Sequence, residues 1–446
     1  MTTAAQILGK FAAELRFEDI PRPVLRRAKD CIIDTIGVAA FGSRFSWSRM
    51  VAEYARRYGR GGRCSLVGLP EERVHAPFAA LANGTFANAF EQDNSYYPQA
   101  GAHSGSPLVP PVLAMCEETG ADGKTALAAF VAACEVNYRI GEAAHHGETS
   151  PEPLGFHAPA LAGTYGAAVA AGRVLNLDAS AMAHALGIAG SLSSGILALT
   201  KSKQGGMVKR LHLGRAAESG VLAAQLAALG HTGPETVLEG QFGYLQVYCR
   251  GGDASRLTAG FGQDWKTLCI AMKRYALHGS AQIPVQSLRE LMAEYGFSGN
   301  DVAKVVVQGG KKLITHHNIV EPGEIMHAQY SVPFCVALAL FRDPEDPASI
   351  DESALQDEAI RTACRSVVEL REWPESDQSF SARIVVRLKD GREFVRAAAT
   401  FKGRPDNPLS RDELRRKFLL SMGREKAAGL FERLDALEEQ ARFSVQ

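Results

Sequence analysis

Over roughly the first 270 residues, apolar positions recur every three or four places with polar ones between them, the period of helices that bury one face. Pro23 to Ala40 shows it most clearly, with Ile32, Ile33 and Ile36 on one face and the charges on the other. The same period predicts helices over Lys124 to Ala144, His157 to Leu175, Ser180 to Thr200 and Leu213 to Leu229, and an amphipathic helix over Thr2 to Phe17. Their high Ala and Gly content calls for close helix contacts inside a large bundle. After about Gly279 the period shortens to two. Val302 to Gln308 and Ala382 to Leu388 are β-branched runs bounded by polar residues, and Asp390-Gly391 turns the second into Glu393 to Val395 as a hairpin. Helical patterns fill Tyr330 to Phe341 and Ser353 to Val368, and charged helices return over Arg411 to Ser421 and Lys426 to Gln440. The expected fold is mainly α: a large all-helical domain over 1–272, a smaller α+β lid over 273–404, and C-terminal helices over 405–446 that rejoin the first domain. Such an insertion leaves a cleft, a favoured place for a small-molecule site.

One stretch interrupts the helical pattern with polar chemistry. In Asn83 to Pro111 the apolar run Leu81 to Phe90 gives way to Glu91, Asp93, Asn94 and Ser95, and His103 follows a few residues later. Tyr97-Pro98, Gly101 and Gly105 break the helix, so an acidic helix end is expected to lead into an irregular loop that carries the histidine.

Charge and cysteine content narrow the function classes. Lys plus Arg and Asp plus Glu stand at 49 each in 446 residues, so no bulk charge favours nucleic acid or an anionic membrane, and any anion recognition must be local. The eight cysteines are scattered without a CxxC pair, mostly in apolar runs. This predicts buried free thiols in a reducing cytoplasm, with neither a disulfide framework nor a zinc site. Lys10 and Glu14 interrupt the N-terminal helix, which does not read as a signal peptide, and no stretch is long and uncharged enough to predict a membrane span.

Three further places put polar residues where helices break. His157 follows Leu154-Gly155-Phe156 at an expected helix start, where a histidine serves as a cap, a core hydrogen bonder or a proton-transfer group. Gly205-Gly206 precede Lys209, Arg210 and His212, where clustered cations and helix N-terminal amides can hold carboxylates, or simply form a solvated basic turn. Lys273-Arg274 and His278 lie at the expected hinge between domains, and a lysine there serves as an anion holder or a proton donor. The adjacent pairs His145-His146 and His316-His317 point their side chains apart, which argues against a metal site. Gly59-Arg60-Gly61-Gly62 lacks the Lys-Ser/Thr of a phosphate loop, and no GxSxG nucleophile elbow occurs where one is needed.

Taken in order, Asp34-Thr35-Ile36-Gly37-Val38, Asn83-Gly84-Thr85, His103-Ser104-Gly105, Gly155-Phe156-His157, Lys209 to Gly214, Leu238-Glu239-Gly240, Lys273 to His278 and Asn407-Pro408-Leu409-Ser410 resemble the landmarks of the MmgE/PrpD family. This family includes 2-methylcitrate dehydratase, cis-aconitate decarboxylase and iminodisuccinate epimerase. The resemblance implies a helical domain with an α+β lid, usually in a homodimer. It implies catalytic roles for His103, His157, Lys209, Lys273 and His278, with Glu91, Asp93, Ser95, Lys209, His212 and Tyr330 binding substrate. The lid aromatic falls on Tyr330 or on Phe334. Three features depart from the family: the acidic loop reads Glu91-Gln92-Asp93-Asn94-Ser95 instead of DFDDT, the loop to His103 is longer than in the decarboxylases, and Ser104 follows His103 where proline is usual.

The chemistry so implied is a cofactor-independent lyase acting on a small di- or tricarboxylate, with no metal and no nucleic acid or membrane partner. The lysines bind carboxylates and offset developing enolate charge, while the histidines move protons. A hydro-lyase on a 2-methylcitrate-like substrate is the first expectation. Decarboxylation of the cis-aconitate type and epimerisation of the iminodisuccinate type use the same groups, and a helical binding protein without turnover is a remote further reading.

Overall fold

The computed structural model describes residues 2–97, 101–202, 205–373 and 381–446. Pro98, expected to help end a helix, lies outside them. The chain forms two units, one of Met1–Ala89, Asp93–Ala271 and Met422–Gln446, the other of Phe90–Gln92 and Met272–Ser421. The fold is mainly α, a helical unit and an α+β unit, as the change of period predicts.

The first unit holds α1 (Ala4–Glu14), α2 (Arg22–Gly42), α3 (Ser46–Tyr58), α4 (Ala76–Ala87), α5 (Gly105–Thr119), α6 (Gly123–Ala144), α7 (Ala158–Val174), α8 (Ala179–Leu192), α9 (Val208–Ala228) and the short α10 (Tyr244–Cys249). Helix α2 starts with proline in its first turn, where the missing N–H costs nothing, and then buries every residue from Cys31 to Gly42. Asp122 and Asp178 accept N–H groups at the starts of α6 and α8. The centre of the bundle is α7 and α4 packed on α9. Small residues permit this approach: a Cβ on Gly84 would lie 2.8 Å from the Gly214 Cα, and one on Gly214 would lie 2.2 Å from Thr85 Oγ1. Two small antiparallel ladders border the bundle, β1 (Cys64–Leu66) with β2 (Leu69–Val74) and β3 (Ser95–Tyr96) with β4 (Ile270–Ala271).

The second unit is built on α11 (Gly279–Tyr295), α12 (Lys311–His317), α13 (Ile325–Tyr330), α14 (Val332–Phe341), α15 (Glu352–Gln356), α16 (Glu358–Thr362) and a four-stranded sheet. Its strands β5 (Val302–Gly309), β6 (Val368–Glu372), β7 (Ala382–Leu388) and β8 (Glu393–Ala398) run in the order β6-β5-β7-β8, with only the β5–β6 pair parallel. The burial of β7 alternates with the period of two expected from its sequence. Helix α17 (Arg411–Met422) belongs to this unit up to Ser421, and only α18 (Arg424–Asp435) returns to the first, so the return comes one helix later than the charged pattern suggests.

Several expected elements change shape. The helix over Ser180–Thr200 stops at Leu192, and the one expected from Leu213 begins at Val208, which moves Lys209 and His212 from a loop onto the first turns of α9. Tyr330–Phe341 divides at Ser331, whose hydroxyl caps α14 by accepting the Phe334 N–H. Ser353–Val368 breaks into α15, α16 and a wide turn before β6, whose parallel pairing with β5 has no local signal. Gly105, expected in an irregular loop, starts α5, which tolerates Pro107 near its start and carries Pro110 and Pro111 inside. All eight cysteines are free, seven buried and Cys269 half-buried. Among the described residues no helix is long and apolar enough to cross a membrane.

Candidate active site

In the first unit the site begins where α4 ends. Arg210, itself buried, donates from Nη1 to the Asn88 carbonyl at 3.1 Å, which ties the first turn of α9 to the residue that closes α4. The chain gives three residues to the second unit and re-enters at Asp93, which is 3 % exposed. Asp93 Oδ2 accepts from Asn88 Nδ2 at 2.9 Å and Ser106 Oγ at 3.0 Å, and lies 2.7 Å from His103 Nδ1. A carboxylate so surrounded only accepts, so Nδ1 of His103 carries hydrogen and Nε2 is the atom left to transfer protons. Asn137 Nδ2 donates to the His103 carbonyl at 2.9 Å and holds its backbone.

Asn94 organises the other side of the same turn. Its Oδ1 accepts from Ser104 Oγ at 2.6 Å and the Gly105 N–H at 2.7 Å, while its Nδ2 donates to Thr35 Oγ1 at 3.2 Å and Asp34 Oδ2 at 3.3 Å. These bonds join the Asp34-Thr35 and His103-Ser104-Gly105 motifs through one side chain. A Cβ on Gly105 would lie 2.3 Å from Thr35 Oγ1, so only glycine fits there. Ser95 places its backbone in β3, paired with Ala271.

A second histidine pair stands in this unit. His157 occupies the N-cap position of α7, and its N–H donates to the Gly195 carbonyl at 2.9 Å. Its Nδ1 lies 3.2 Å from Nδ1 of His212, so one ring donates a single proton that the other accepts. Burial holds His212 below the ordinary histidine range, and the Lys209 charge three residues earlier pushes it the same way. His212 is therefore neutral at physiological pH.

The second unit carries its own cluster. Glu91 has a left-handed backbone, φ 55°, and is 6 % exposed, an unfavoured conformation for a residue that is not glycine. Lys273 Nζ donates to the Glu91 carbonyl at 3.0 Å and lies 3.5 Å from Oε2, and the Tyr330 hydroxyl donates to Oε1 at 3.1 Å. Gln329 staples the surroundings: its Nε2 donates at 2.8 Å to both the Phe90 and Ala276 carbonyls, and its own carbonyl accepts the His278 N–H at 2.9 Å. His278 caps α11 by accepting the Ser280 N–H on Nδ1 at 3.3 Å, which leaves the ring proton on Nε2. Tyr330 is the aromatic residue with a hydroxyl in this cluster, whereas Phe334 is buried in α14.

Apart from Ser95, whose backbone lies in β3, the residues given site roles from sequence fall into three groups: His103 with Asp93, His157 with His212 and Lys209, and Lys273 with Glu91, Tyr330 and His278. Sequence reasoning missed Asn88, Ser106 and Gln329. Gln329 alone left a signal, a lone amide beside the apolar run that becomes α14. Among the described residues no group of three or more His, Cys, Asp and Glu side chains is placed to hold a metal ion.

Residues 6–257 match the MmgE/PrpD N-terminal domain and residues 275–428 the MmgE/PrpD C-terminal domain. The chain belongs to the MmgE/PrpD family. It is 28% identical over 438 residues to the cis-aconitate decarboxylase-like protein oryM of Aspergillus oryzae, covering 92% of this chain and 89% of that one. To human cis-aconitate decarboxylase it is 28% identical over 408 residues, 89% of this chain and 82% of the relative. The cis-aconitate decarboxylase of Aspergillus terreus is 32% identical over 297 residues, 64% of this chain and 59% of its own length. The first of these relatives is named as decarboxylase-like and the other two as decarboxylases.

Proposed function

We propose that this MmgE/PrpD protein is a lyase that removes carbon dioxide from an unsaturated tricarboxylate of the cis-aconitate type. The observation that carries the reading is the His103–Asp93 pair at 2.7 Å, in a chain whose relatives are named for that reaction. In such a substrate a CH2–COO⁻ arm is attached to a carbon–carbon double bond. When the bond from CH2 to the departing carboxylate breaks, its electron pair becomes a new double bond, and the original pair moves onto the carbon next to another carboxylate. One proton must then reach that carbon. Only a proton donor and cations for the developing charge are required. His103 is the proposed donor: with Nδ1–H directed at Asp93, the ring carries the transferable proton on Nε2 and takes a replacement from water after turnover. Lys209 and Lys273 are the proposed carboxylate holders, with His278 offering its Nε2–H to an anionic oxygen. Glu91 acts as the partner that orients Lys273 and Tyr330.

The test is conversion of cis-aconitate by the purified protein, followed by itaconate formation and carbon dioxide release. His103→Ala, soluble and folded, abolishes both under this reading, and a fully active variant would sink it. A second reading, hydro-lyase action on a 2-methylcitrate-like hydroxy acid, has its own support in the His157–His212 pair. An elimination needs both a base and an acid, and two imidazoles sharing one proton supply one of each. Its mark is a conjugated alkene absorbing in the near ultraviolet with no carbon dioxide released.

A further inference from the structure

His317 belongs to none of the motifs used so far. It ends α12 with 8 % of its surface exposed, and its Nδ1 lies 3.0 Å from the Tyr330 carbonyl. A carbonyl can only accept, so Nδ1 carries the ring proton and Nε2 keeps a lone pair. Burial holds this histidine below its ordinary range. The Tyr330 carbonyl pulls the other way, and the charges of His316 and Lys312 on the same helix add to the effect of burial. The His317 ring stacks on His278 with centroids 4.4 Å apart and planes at 29°, and His278 in turn packs on Tyr330 at 4.7 Å and 32°.

The neighbours of this stack are the groups already given work to do. His278 stands at the N-terminus of α11, where the helix dipole opposes a positive ring, and its Nδ1 is occupied by the Ser280 N–H. Tyr330 passes its hydroxyl to Glu91, and Glu91 faces Lys273. We propose that His317 is a positioning residue for this cluster: an imidazole that donates to the Tyr330 carbonyl and, stacked on His278, holds that ring against the Ser280 N–H, whose bond to Nδ1 makes His278 an Nε2–H donor. A second positive ring 4.4 Å away would repel any charge on His278, so neutrality of His317 is part of the device. Its consequence runs in two directions, to the orientation of His278 and through Tyr330 to Glu91 and Lys273. The charges that act on His317 are those of Lys312 and His316 on α12; β6, packed against α12, carries Glu369, Arg371 and Glu372, and beyond His278 stand Tyr330, Glu91 and Lys273.

The inference rests on the reading of His278 as a group that meets substrate, and the test separates the two. His317→Phe removes the Nδ1–H bond that anchors the ring in the stack, so the new ring can turn away from His278, whereas His317→Asn keeps a donor to the Tyr330 carbonyl and removes the ring. Nitrogen-15 NMR of the imidazoles reads the tautomer of His278 in either protein whether or not it turns over. The wild type shows His278 with Nδ1 unprotonated and Nε2 protonated through neutral pH. In His317→Phe that single signature gives way to a mixture, and kcat on cis-aconitate falls about five- to tenfold, the effect of one neutral hydrogen bond, with KM within about twofold. His317→Asn recovers part of kcat, because its amide reaches the same carbonyl. An unchanged His278 signature in both variants overturns the proposal, as does a loss confined to KM. Should His317→Phe not fold, the His317→Asn spectrum decides alone: a retained single tautomer with unchanged kcat overturns the proposal, and a mixed one upholds it. Full activity of His278→Ala would instead remove His278 from the site reading, while a mixed signature in His317→Phe would still uphold the positioning role.

Discussion

Asp93→Asn isolates the contribution of the pair on which the proposed reaction depends. In the native protein one oxygen, Oδ2, takes Asn88 Nδ2 at 2.9 Å, Ser106 Oγ at 3.0 Å and His103 Nδ1 at 2.7 Å, in a site only 3 % exposed. Hydrogen bonds to a charged acceptor contribute about 1.5–3 kcal/mol and neutral ones about 0.5–1.5 kcal/mol, so exchanging carboxylate for amide removes roughly 1–2 kcal/mol from the state in which His103 changes charge. That is about five- to thirtyfold in kcat/KM. A far larger loss, on the order of 10⁴, follows when an amide turns its NH2 toward a catalytic histidine and reverses the tautomer. Here the same oxygen also serves Asn88, and an NH2 in its place would set two donors against each other. The amide therefore keeps its oxygen toward His103, and the smaller loss is expected. The assay is itaconate formation at neutral pH alongside the melting temperature, which changes little because a buried charge is lost together with its bonds. Wild-type kcat/KM in folded Asp93→Asn would mean that the carboxylate does not support His103, and a loss on the order of 10⁴ would mean that the amide turns its NH2 toward the ring.

Lys209→Met removes a positive charge that helps to lower His212, so the His212 titration moves upward toward its ordinary range in an NMR titration, and an unmoved titration contradicts the assignment. Gly214→Ala sets a Cβ 2.2 Å from Thr85 Oγ1 and 2.4 Å from the Leu81 carbonyl, so α9 must shift; a loss of about 1–3 kcal/mol in denaturant unfolding is expected, with reduced turnover because Lys209 and His212 ride on the same helix. Glu152→Gln removes the partner of His145 Nε2 at 3.0 Å. Burial alone would lower His145, but the bond to Glu152 and its charge raise it overall, and the same contact lowers Glu152 against the effect of its own burial. The raised histidine stabilises fully below the ordinary value of 6.5 and loses this as pH rises through its folded value, while the lowered carboxylate stabilises above 4.5 and loses this as pH falls. The melting-temperature gap between wild type and Glu152→Gln is thus widest between pH 4.5 and 6.5, and a gap independent of pH would contradict the pairing.

The two-unit fold was readable because its signal is local and repeated. Ile32, Ile33 and Ile36 on α2 and the alternation along β7 each state their period within a few residues. What escaped depends on partners distant in sequence. Strand β6 exists because β5 pairs with it, about sixty residues earlier, and Val368–Glu372 alone reads as the end of a helix. Gly205-Gly206 look like a break and suggest a later start for α9, yet Arg210 is buried and holds Asn88, and the helix begins at Val208. For the site, the motifs named the histidines, the lysines and the carboxylates Glu91 and Asp93, but not which of them pair. Asp93 and His103 are ten residues apart, and nothing in that spacing says that one oxygen will serve His103, Asn88 and Ser106 together. In sequence His317 is half of an adjacent pair ill suited to a metal, and its ring stack on His278 appears only in the fold.

In the proposed reaction His103, backed by Asp93, supplies the proton that reaches the carbon skeleton after carbon dioxide leaves. Proton NMR of the protein with cis-aconitate in deuterium oxide tests it most directly. The wild type is expected to form itaconate carrying one deuterium on the methylene beside a carboxylate, and His103→Ala to form none. Unconsumed cis-aconitate, with dehydration of 2-methylcitrate in the parallel tube, would contradict it and leave the hydro-lyase reading in its place.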